Sequence, residues 1–421
     1  MAKPRTQQNF SIDIFDVVVI GGGPAGMMAA IEAGKRGKRV LLIEKNPGLG
    51  KKLLITGGGR CNVTNNKPVV REMLSQYKEA GKFLFSTFMQ YGVTDTITFF
   101  AERDLSFIEE NEGRLFPHTQ KAESVFLVLE NELKNQKVTV QTGKRVVAIT
   151  KSTTEFVITL VPYSEVRAQS VIVATGGTAR PETGSTGDGY VWLQKLGHTI
   201  HKGNDTLVPV AVKESWTKTL GGVSIPDASI SIYCNGVKRQ KATGKLLFTH
   251  VGLSGPLILN QSKLIGDVLV EGEVTIKIDL VPEIDASVVQ EVLLSKFTET
   301  PNKKLKNVLS EMIKTALVIP LLNSLDIDGE TPVHSVSASN RKRIGVTIKA
   351  LPLTVTGLLG SDKAVATAGG VDLREINFKT MESKLVPGLY VVGDVLNINR
   401  PSGGYSLQLS WSTGAVAGRN I

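Results

Sequence analysis

The sequence predicts an α/β protein built around a Rossmann-type dinucleotide-binding domain, which a long insertion splits into two parts. Three observations support this prediction. A short apolar strand runs into a glycine-rich turn and a helix near the N-terminus. The strand that follows ends in an acidic residue. The same α/β pattern returns at the C-terminus, after a long stretch of different character.

The strand–turn–helix motif is DVVVIGGGPAG, residues 16–26. Its first glycine permits the tight turn, its second lets the backbone approach a pyrophosphate, and its third lets the helix pack closely on the strand. The phosphates are then expected on the free N–H groups at the helix N-terminus. A glycine-rich turn without a ligand is the alternative, and the strand before it and the helix after it argue against that. The residues expected at the cofactor are Gly21, Gly23, Pro24, Ala25 and Gly26.

The second strand, RVLLIEK, carries Glu44 near its end. In this fold, an acidic residue about 20 positions after the glycines accepts hydrogen bonds from the hydroxyl groups of an adenosine ribose. Glu44 is therefore expected at the adenosine.

Length and composition set further bounds. A chain of 421 residues suggests two or three domains. Two cysteines, far apart in sequence, argue against a disulfide framework, and the five histidines lack the spacing of a metal site. The net charge of +10 comes from dispersed basic residues without interleaved aromatics. This pattern favours a solvated surface over a site for an anionic ligand or for RNA, so nucleic acid is not the expected partner.

The N-terminal residues are basic and polar, without the apolar core of a signal peptide. No stretch reaches the roughly 18 apolar residues of a membrane span. A cytoplasmic protein that does not associate with membranes is expected.

Changes in the sequence pattern along the chain indicate the domains. Residues 205–280 have short β-type runs separated by Gly and Pro, which is typical of a small barrel or sandwich, and residues 284–325 have helical spacing. The expected domains are a first part of the dinucleotide-binding domain (14–200), a β domain (201–282 and 341–356), a helical subdomain (283–340) and a second part of the dinucleotide-binding domain (357–421).

Two further strands point to FAD rather than NAD. The strand SVIVATGG (170–177) runs into paired glycines, so Ala174, Thr175 and Gly176 are expected near the cofactor. The strand GLYVVGD (388–394) ends in Gly393 and Asp394. In flavoproteins of this fold, an aspartate at that place binds the ribityl chain, and an NAD domain needs no such third segment.

The motifs GKKLLITGGGRCNVTN (50–65), TGSTGDGY (183–190), LLFTHVGLSGP (246–256) and PSGGYSLQLSWSTG (401–414) closely resemble the HI0933-like family of bacterial flavoproteins. Its members are also described as BaiN-like or aminoacetone-oxidase-like. The resemblance runs from about residue 14 to the C-terminus. It implies a split FAD domain, a small β domain and a helical domain inserted within the latter.

The resemblance also implies roles for individual residues. Ala25, Glu44 and Lys45 would contact the adenosine and pyrophosphate, and the Val146 backbone would reach the adenine. Four consecutive residues would lie along the pyrophosphate and flavin: Gly59, Arg60, Cys61 and Asn62. The backbone N–H groups of three more would meet the pyrimidine edge of the flavin: Tyr405, Ser406 and Leu407. The family often has Asn at position 406, which leaves the role of the Ser406 side chain open.

The function expected from this resemblance is an FAD-dependent oxidoreductase that transfers hydride at the flavin N5, by amine oxidation or enone reduction of a small molecule. NAD(P)H binding transiently, or dioxygen, would be the redox partner. An RNA-modifying flavoprotein and a non-enzymatic redox sensor are the alternatives.

Catalytic residues are not identifiable from the sequence. Cys61 has no neighbouring cysteine and is expected to be a packed, non-catalytic residue. His250 is either a substrate-side acid or base or a turn residue, with the turn favoured. Helix capping accounts for Asp188, and Tyr190 is a candidate for facing the flavin.

Overall fold

The computed structural model describes residues 14–162, 164–360, 364 and 366–421, without the side chains of 202–206, 366 and 368. The N-terminal segment, in which no signal peptide was expected, lies outside the described residues. The chain forms two compact units, Met1–Asp205 with Ala366–Ile421 and Thr206–Val365.

The first unit begins with strands and helices that alternate along the chain. They are β1 (Ile14–Ile20), α1 (Pro24–Lys35), β2 (Val40–Ile43), α2 (Lys51–Ile55), β3 (Thr64–Asn65), α3 (Val70–Ser75), α4 (Gly81–Gln90), α5 (Val93–Ala101), β4 (Phe107–Glu110), β5 (Arg114–Pro117), α6 (Ala122–Asn135), β6 (Thr139–Gln141), β7 (Arg145–Lys151), β8 (Phe156–Val161), β9 (Ser164–Val173), α7 (Asp188–Lys195) and β10 (Ile200–Thr206).

The second unit contains β11 (Val210–Val212), β12 (Ser224–Cys234), β13 (Val237–Thr249), β14 (Gly252–Ser254), α8 (Pro256–Leu269), β15 (Val274–Asp279), α9 (Ala286–Glu299), α10 (Leu305–Leu309), α11 (Thr315–Ser324), α12 (Ala338–Lys349) and β16 (Leu351–Leu358). The chain then completes the first unit with β17 (Ala366–Val371), β18 (Ile376–Asn377), β19 (Glu382–Ser383), β20 (Leu389–Val391) and α13 (Tyr405–Arg419).

The central sheet of the first unit has the order β18-β19-β20-β9-β1-β2-β6. The five strands from β20 to β6 are parallel, and the antiparallel β7–β8 hairpin joins the sheet through β9. The last four residues of β1, Val17 to Ile20, are all buried, as a parallel strand covered on both faces requires. The Rossmann-type fold class is therefore confirmed, and β20 brings the C-terminal segment into the sheet beside β9.

A second, three-stranded sheet has the order β3-β5-β4. Its β4–β5 hairpin turns at Asn111–Gly113, where Glu112 and Gly113 have positive φ. In the segment LSFIEENEGRLFP, two short runs on either side of Asn111–Gly113 predict a hairpin that turns there, and the structure confirms this prediction.

The second unit contains a closed barrel of order β11-β14-β13-β12-β15-β16. Barrel residues such as Ile232 and Phe248 share one hydrophobic core with Leu293 and Leu321 of the helices. The expected boundary between residues 340 and 341 falls inside α12. Ser337 is the N-cap residue of this helix, and its hydroxyl accepts a hydrogen bond from the Asn340 N–H at 3.1 Å.

Among the described residues, no helix combines the length and the apolar character that a membrane crossing requires.

Two helices of the first unit, α1 and α13, approach each other backbone to backbone. A Cβ atom on Gly414 would lie 2.4 Å from the carbonyl oxygen of Ala25, and one on Gly418 would lie 2.4 Å from that of Ala29. Because both contacts advance together along the two helices, α1 and α13 run in the same direction. Every residue from Leu407 to Gly418 is buried.

This contact predicts that Gly414→Ala destabilises the protein. Within a helix, Ala in place of Gly ordinarily stabilises by about 0.5–1 kcal/mol, but here the methyl group would meet a main-chain oxygen. We expect a loss of about 1–3 kcal/mol, as for overpacked cores, measured by urea unfolding. Gly48→Ala is the control, because its Cβ would meet nothing within 4 Å. A Gly414→Ala protein as stable as Gly48→Ala would contradict the close contact.

Candidate cofactor site

The glycines of the turn before α1 are of two kinds: some are packed against main-chain atoms, and one faces open space. A Cβ on Gly21 would lie 2.5 Å from the Ala174 carbonyl oxygen, and one on Gly26 would lie 1.9 Å from that of Gly21. A Cβ on Gly23 would meet nothing within 4 Å. Pro24 begins the helix, whose first N–H groups have no intrahelical partner. The space beside Gly23 can therefore receive a phosphate group.

Glu44 is buried just after the end of β2 and fixes the surrounding loops. Its carboxylate accepts from the Gly22 N–H at 2.7 Å and from the backbone and side-chain N–H groups of Asn46, both at 2.8 Å. These bonds use three of the roughly four acceptor positions of a carboxylate. About one position remains for a ribose hydroxyl group.

A cleft opens beside this carboxylate, at the ends of β1 and β2. Apolar groups such as Val146 and Trp192 suit an aromatic base, while Glu44 and Lys45 suit its sugar and phosphates. The lining residues are Ile20, Gly21, Ile43, Glu44, Lys45, Lys144, Val146, Thr175, Gly184, Asp188 and Trp192.

Lys45 is bound by residues at the start of α7. Its ammonium group donates to the Asp188 carboxylate at 2.9 Å and to the Thr186 hydroxyl at 2.5 Å. Burial raises the pKa of Asp188, but the hydrogen bond and charge of Lys45 outweigh it and hold the pKa below its usual value. Gly187 is the N-cap residue of α7 and no side chain caps the helix, so the expected capping role of Asp188 is wrong. Asp188 is instead the ion-pair partner of Lys45.

The glycine loop after α2 adopts a conformation that other residues disfavour. Gly57, Gly58 and Gly59 all have positive φ, and a Cβ on Gly58 or Gly59 would meet nothing within 4 Å. The next side chain turns towards the β4–β5 hairpin: Arg60 donates to Glu110 at 2.6 Å and stacks on Phe116 with 4.1 Å to the ring centroid. The open backbone of the loop, rather than the Arg60 guanidinium, is thus free to contact a ligand.

Cys61 and Asn62 hold this loop in place. Burial raises the pKa of the Cys61 thiol to about 12, so the sulfur stays protonated at physiological pH. Asn62, oriented to satisfy its amide, donates to the Thr64 carbonyl at 2.9 Å and accepts from the Gly404 N–H at 3.0 Å. The glycine loop is thereby tied to the start of α13.

The segment after β9 packs tightly. A Cβ on Gly176 would lie 2.8 Å from the Ser185 hydroxyl, and one on Gly189 would lie 2.2 Å from that of Thr175. Ala174 is buried under the α1 turn. Among these residues Thr175 lines the cleft.

Gly393 and Asp394 follow β20 in a short turn. Gly393 has φ +68°, its N–H donates to the Thr413 hydroxyl at 3.0 Å, and its Cβ would lie 2.9 Å from that of Ala25. The Asp394 carboxylate pairs with the guanidinium of Arg400, which is buried. The Tyr190 hydroxyl donates to the Asp394 carbonyl at 3.2 Å, which gives Tyr190 a role in holding this turn.

The first turn of α13 presents N–H groups without intrahelical partners. It begins after Gly404, at φ +100°, whose Cβ would lie 2.4 Å from the Thr64 carbonyl carbon. Tyr405 is held by the Tyr77 hydroxyl, which donates to its carbonyl at 2.8 Å. The Ser406 hydroxyl accepts from Arg400 at 2.9 Å, and Leu407 is buried.

The two helix N-termini are staggered. Tyr405 precedes Gly414, the contact point with the start of α1, by nine residues, or about 14 Å at 1.5 Å per residue. The free N–H groups at the start of α1 and those at the start of α13 therefore point the same way, and the Asp394 turn lies between them. This arrangement suits an extended ligand with a pyrophosphate at α1 and a polar ring edge at α13, as FAD has.

Within the described part of the chain, no group of three or more His, Cys, Asp or Glu side chains is arranged to hold a metal ion. His250 lies exposed between β13 and β14, where its ring fills the space above Gly221.

Comparisons with known proteins agree with this fold. The family model for the HI0933-like protein Rossmann domain matches residues 15–420. The 3-dehydro-bile acid delta(4,6)-reductase of Clostridium scindens is 33% identical over 404 residues, which are 95% of this chain and 97% of the relative. The ribosomal RNA dihydrouridine synthase of Escherichia coli is 30% identical over 410 residues, 97% of this chain and 98% of the relative. A flavocytochrome c3 fumarate reductase in its open conformation shares the fold, with a TM-score of 0.54 and 18% identity over 97% of this chain and 78% of that one.

Because Gly23 faces open space and Gly26 is packed against the backbone, substitutions at the two positions should have different effects. We expect Gly23→Ala to leave the unfolding free energy of the apoprotein within about 1 kcal/mol but to weaken FAD binding at least about tenfold, equivalent to 1.4 kcal/mol. The reason is that its methyl group enters only the space beside the helix N-terminus. Gly26→Ala should lower the stability of the apoprotein itself. Urea unfolding and FAD titration by fluorescence quenching measure the two effects, and unchanged FAD affinity in Gly23→Ala would refute the phosphate site.

Proposed function

Because the chain belongs to the HI0933-like family and is a flavin-dependent oxidoreductase, we propose that it binds FAD and reduces a carbon–carbon double bond conjugated to a carbonyl group. The staggered N-termini of α1 and α13 are the observation that carries the proposal. In it, the start of α1 binds the pyrophosphate, Glu44 the adenosine ribose and Asp394 the ribityl chain. The first turn of α13 meets the pyrimidine edge of the flavin.

The chemistry is supported by what the two full-length relatives are named for. One reduces the 4,6 double bonds of a 3-dehydro bile acid, and the other makes dihydrouridine. Both names describe the addition of two hydrogens to a double bond conjugated to a carbonyl. Bound FAD in its reduced form would supply the hydride for such a step. A proton from solvent would complete the addition of two hydrogens, and a diffusible donor of the NAD(P)H class would then return the oxidised flavin to its reduced form.

The shared chemistry favours enone reduction over amine oxidation, since neither name refers to an amine. A small cyclic enone is the proposed substrate class, because the bile acid reductase has the higher identity. The enzymatic relatives also favour catalysis over a sensor role.

We expect the reduced holoenzyme to be reoxidised by a 3-oxo-Δ4,6 steroid under anaerobic conditions, giving a product 2 Da heavier. The flavin absorbance follows the first event and mass spectrometry the second. The ring-saturated 3-oxo steroid is the control, because it has the same carbon skeleton and 3-oxo group without the conjugated double bonds. If primary amines bleach the oxidised flavin and the enone leaves the reduced flavin unchanged, the enzyme works in the oxidative direction and the proposal fails.

Ribosomal RNA is the second candidate substrate, favoured by the identity to the dihydrouridine synthase. It predicts that the reduced enzyme forms dihydrouridine in protein-free ribosomal RNA, detected by mass spectrometry of the digested nucleosides. Binding should then weaken steeply with salt, because basic side chains displace counterions from phosphates. Absence of dihydrouridine at low salt, with turnover of the steroid, would exclude RNA.

A further inference from the structure

Arg400 is a deeply buried charged side chain beside the proposed flavin, with 1% of it exposed. Each of its three nitrogens has a partner. Nε donates to the Ser406 hydroxyl at 2.9 Å, Nη1 donates to the Ile398 carbonyl at 2.7 Å, and Nη2 pairs with the Asp394 carboxylate. Arg400 therefore connects the turn proposed for the ribityl chain with the first turn of α13.

This position is unusual for a cation. A helix N-terminus carries the positive end of the helix dipole, which disfavours a nearby positive charge and favours a negative one. Arginine remains protonated in proteins, so burial cannot remove its charge. The single negative charge of Asp394 offsets the charge of Arg400, but the positive end of the α13 dipole contributes further positive potential. The site is thus left with an excess of positive potential where the flavin pyrimidine edge is proposed.

Lys52 adds to this excess. Its Nζ donates to the Ala179 carbonyl at 2.7 Å. Burial is the main cause that lowers its pKa; the charge of Arg400 lowers it further, while Asp394 opposes both. The charges of Arg180 and Glu182 also act on Lys52, and these two pair with each other at 3.6 Å. A negative charge arriving nearby would favour the protonated form of Lys52.

We infer that Arg400 is a positioning residue that locks Asp394 to the first turn of α13 and, through its permanent charge, makes the bound flavin easier to reduce. The inference rests on the proposed binding of FAD. Reduction of a flavin places negative charge on its pyrimidine end, and a fixed cation beside that end lowers the free energy of the reduced form. Lys52 contributes to the same effect.

The test measures the midpoint potential of the purified holoprotein under anaerobic dye equilibration. Arg400→Gln should reduce the equilibrium constant for flavin reduction at least about tenfold, which corresponds to about 30 mV for a two-electron couple. Lys52→Met should change it in the same direction. Arg400→Lys keeps the charge and should return the potential towards that of the wild type, which a purely structural role would not produce.

Arg419→Gln is the matched control. Arg419 lies at the C-terminal end of α13 and pairs with Glu32 at 2.7 Å, so this variant also removes one arginine charge from an ion pair, but at the end of the helix far from the flavin. A potential of Arg400→Gln equal to that of Arg419→Gln would overturn the inference. If Arg400→Gln loses its flavin, the midpoint potential of Lys52→Met is compared with that of Arg419→Gln instead, and equal potentials would again overturn the inference. A wild-type protein without affinity for FAD would instead refute the proposed function.

Discussion

The contact between α1 and α13 is the interaction on which the first unit depends. Residues nearly 400 positions apart meet there with main-chain atoms of α1 against the glycines of α13. Side chains at Gly414 or Gly418 would push the helices apart and change their stagger. Because the helices start at different heights, one packing contact sets both the direction and the spacing of the two N–H clusters. The insertion of residues 206–365 leaves this arrangement intact, since β20 and α13 return to complete the sheet and its helical cover.

Buried polar groups on α13 extend the same constraint to the glycine loop. Gln408 accepts from the Thr64 hydroxyl at 2.6 Å and donates to Thr96 at 3.0 Å, while the Trp411 indole donates to the Val63 carbonyl at 2.9 Å. A buried polar group is costly unless it is paired. These bonds therefore favour a single position of the loop relative to the helix. The backbone of Gly58 and Gly59 is positioned through α13, although it lies far from α13 in sequence.

Short sequence patterns predicted the elements whose structure depends on residues close together in the chain. The four-residue apolar run of β1, the glycines of the first turn and the acidic end of β2 each follow from nearby residues, and so does the β4–β5 hairpin. Pairings over long distances in sequence could not be predicted. Asp188 sits where capping residues are common, but Lys45, 143 positions away, determines its contact. Arg400 stands in a glycine-rich segment without helical or strand periodicity, so nothing local indicated that it is buried. Helix α12 continued beyond the expected boundary because its buried residues, Ile344 and Ile348, repeat at helical spacing.

The state of the cysteines bears on how electrons would pass through the protein. A thiol relay needs two cysteines that can form a disulfide, and the chain has only Cys61 and Cys234. Each is buried and free; the first has a raised pKa, and the second lies in the other unit with its thiol directed to the Val268 carbonyl at 3.5 Å. In the proposed reaction, electrons must then enter and leave directly at the flavin. A donor and an enone that use the same face must bind in turn, which is the condition for ping-pong kinetics. The positive charge at Arg400 would assist the first half of that cycle and oppose the second, and the Asp394 carboxylate beside it would reduce both effects without removing them.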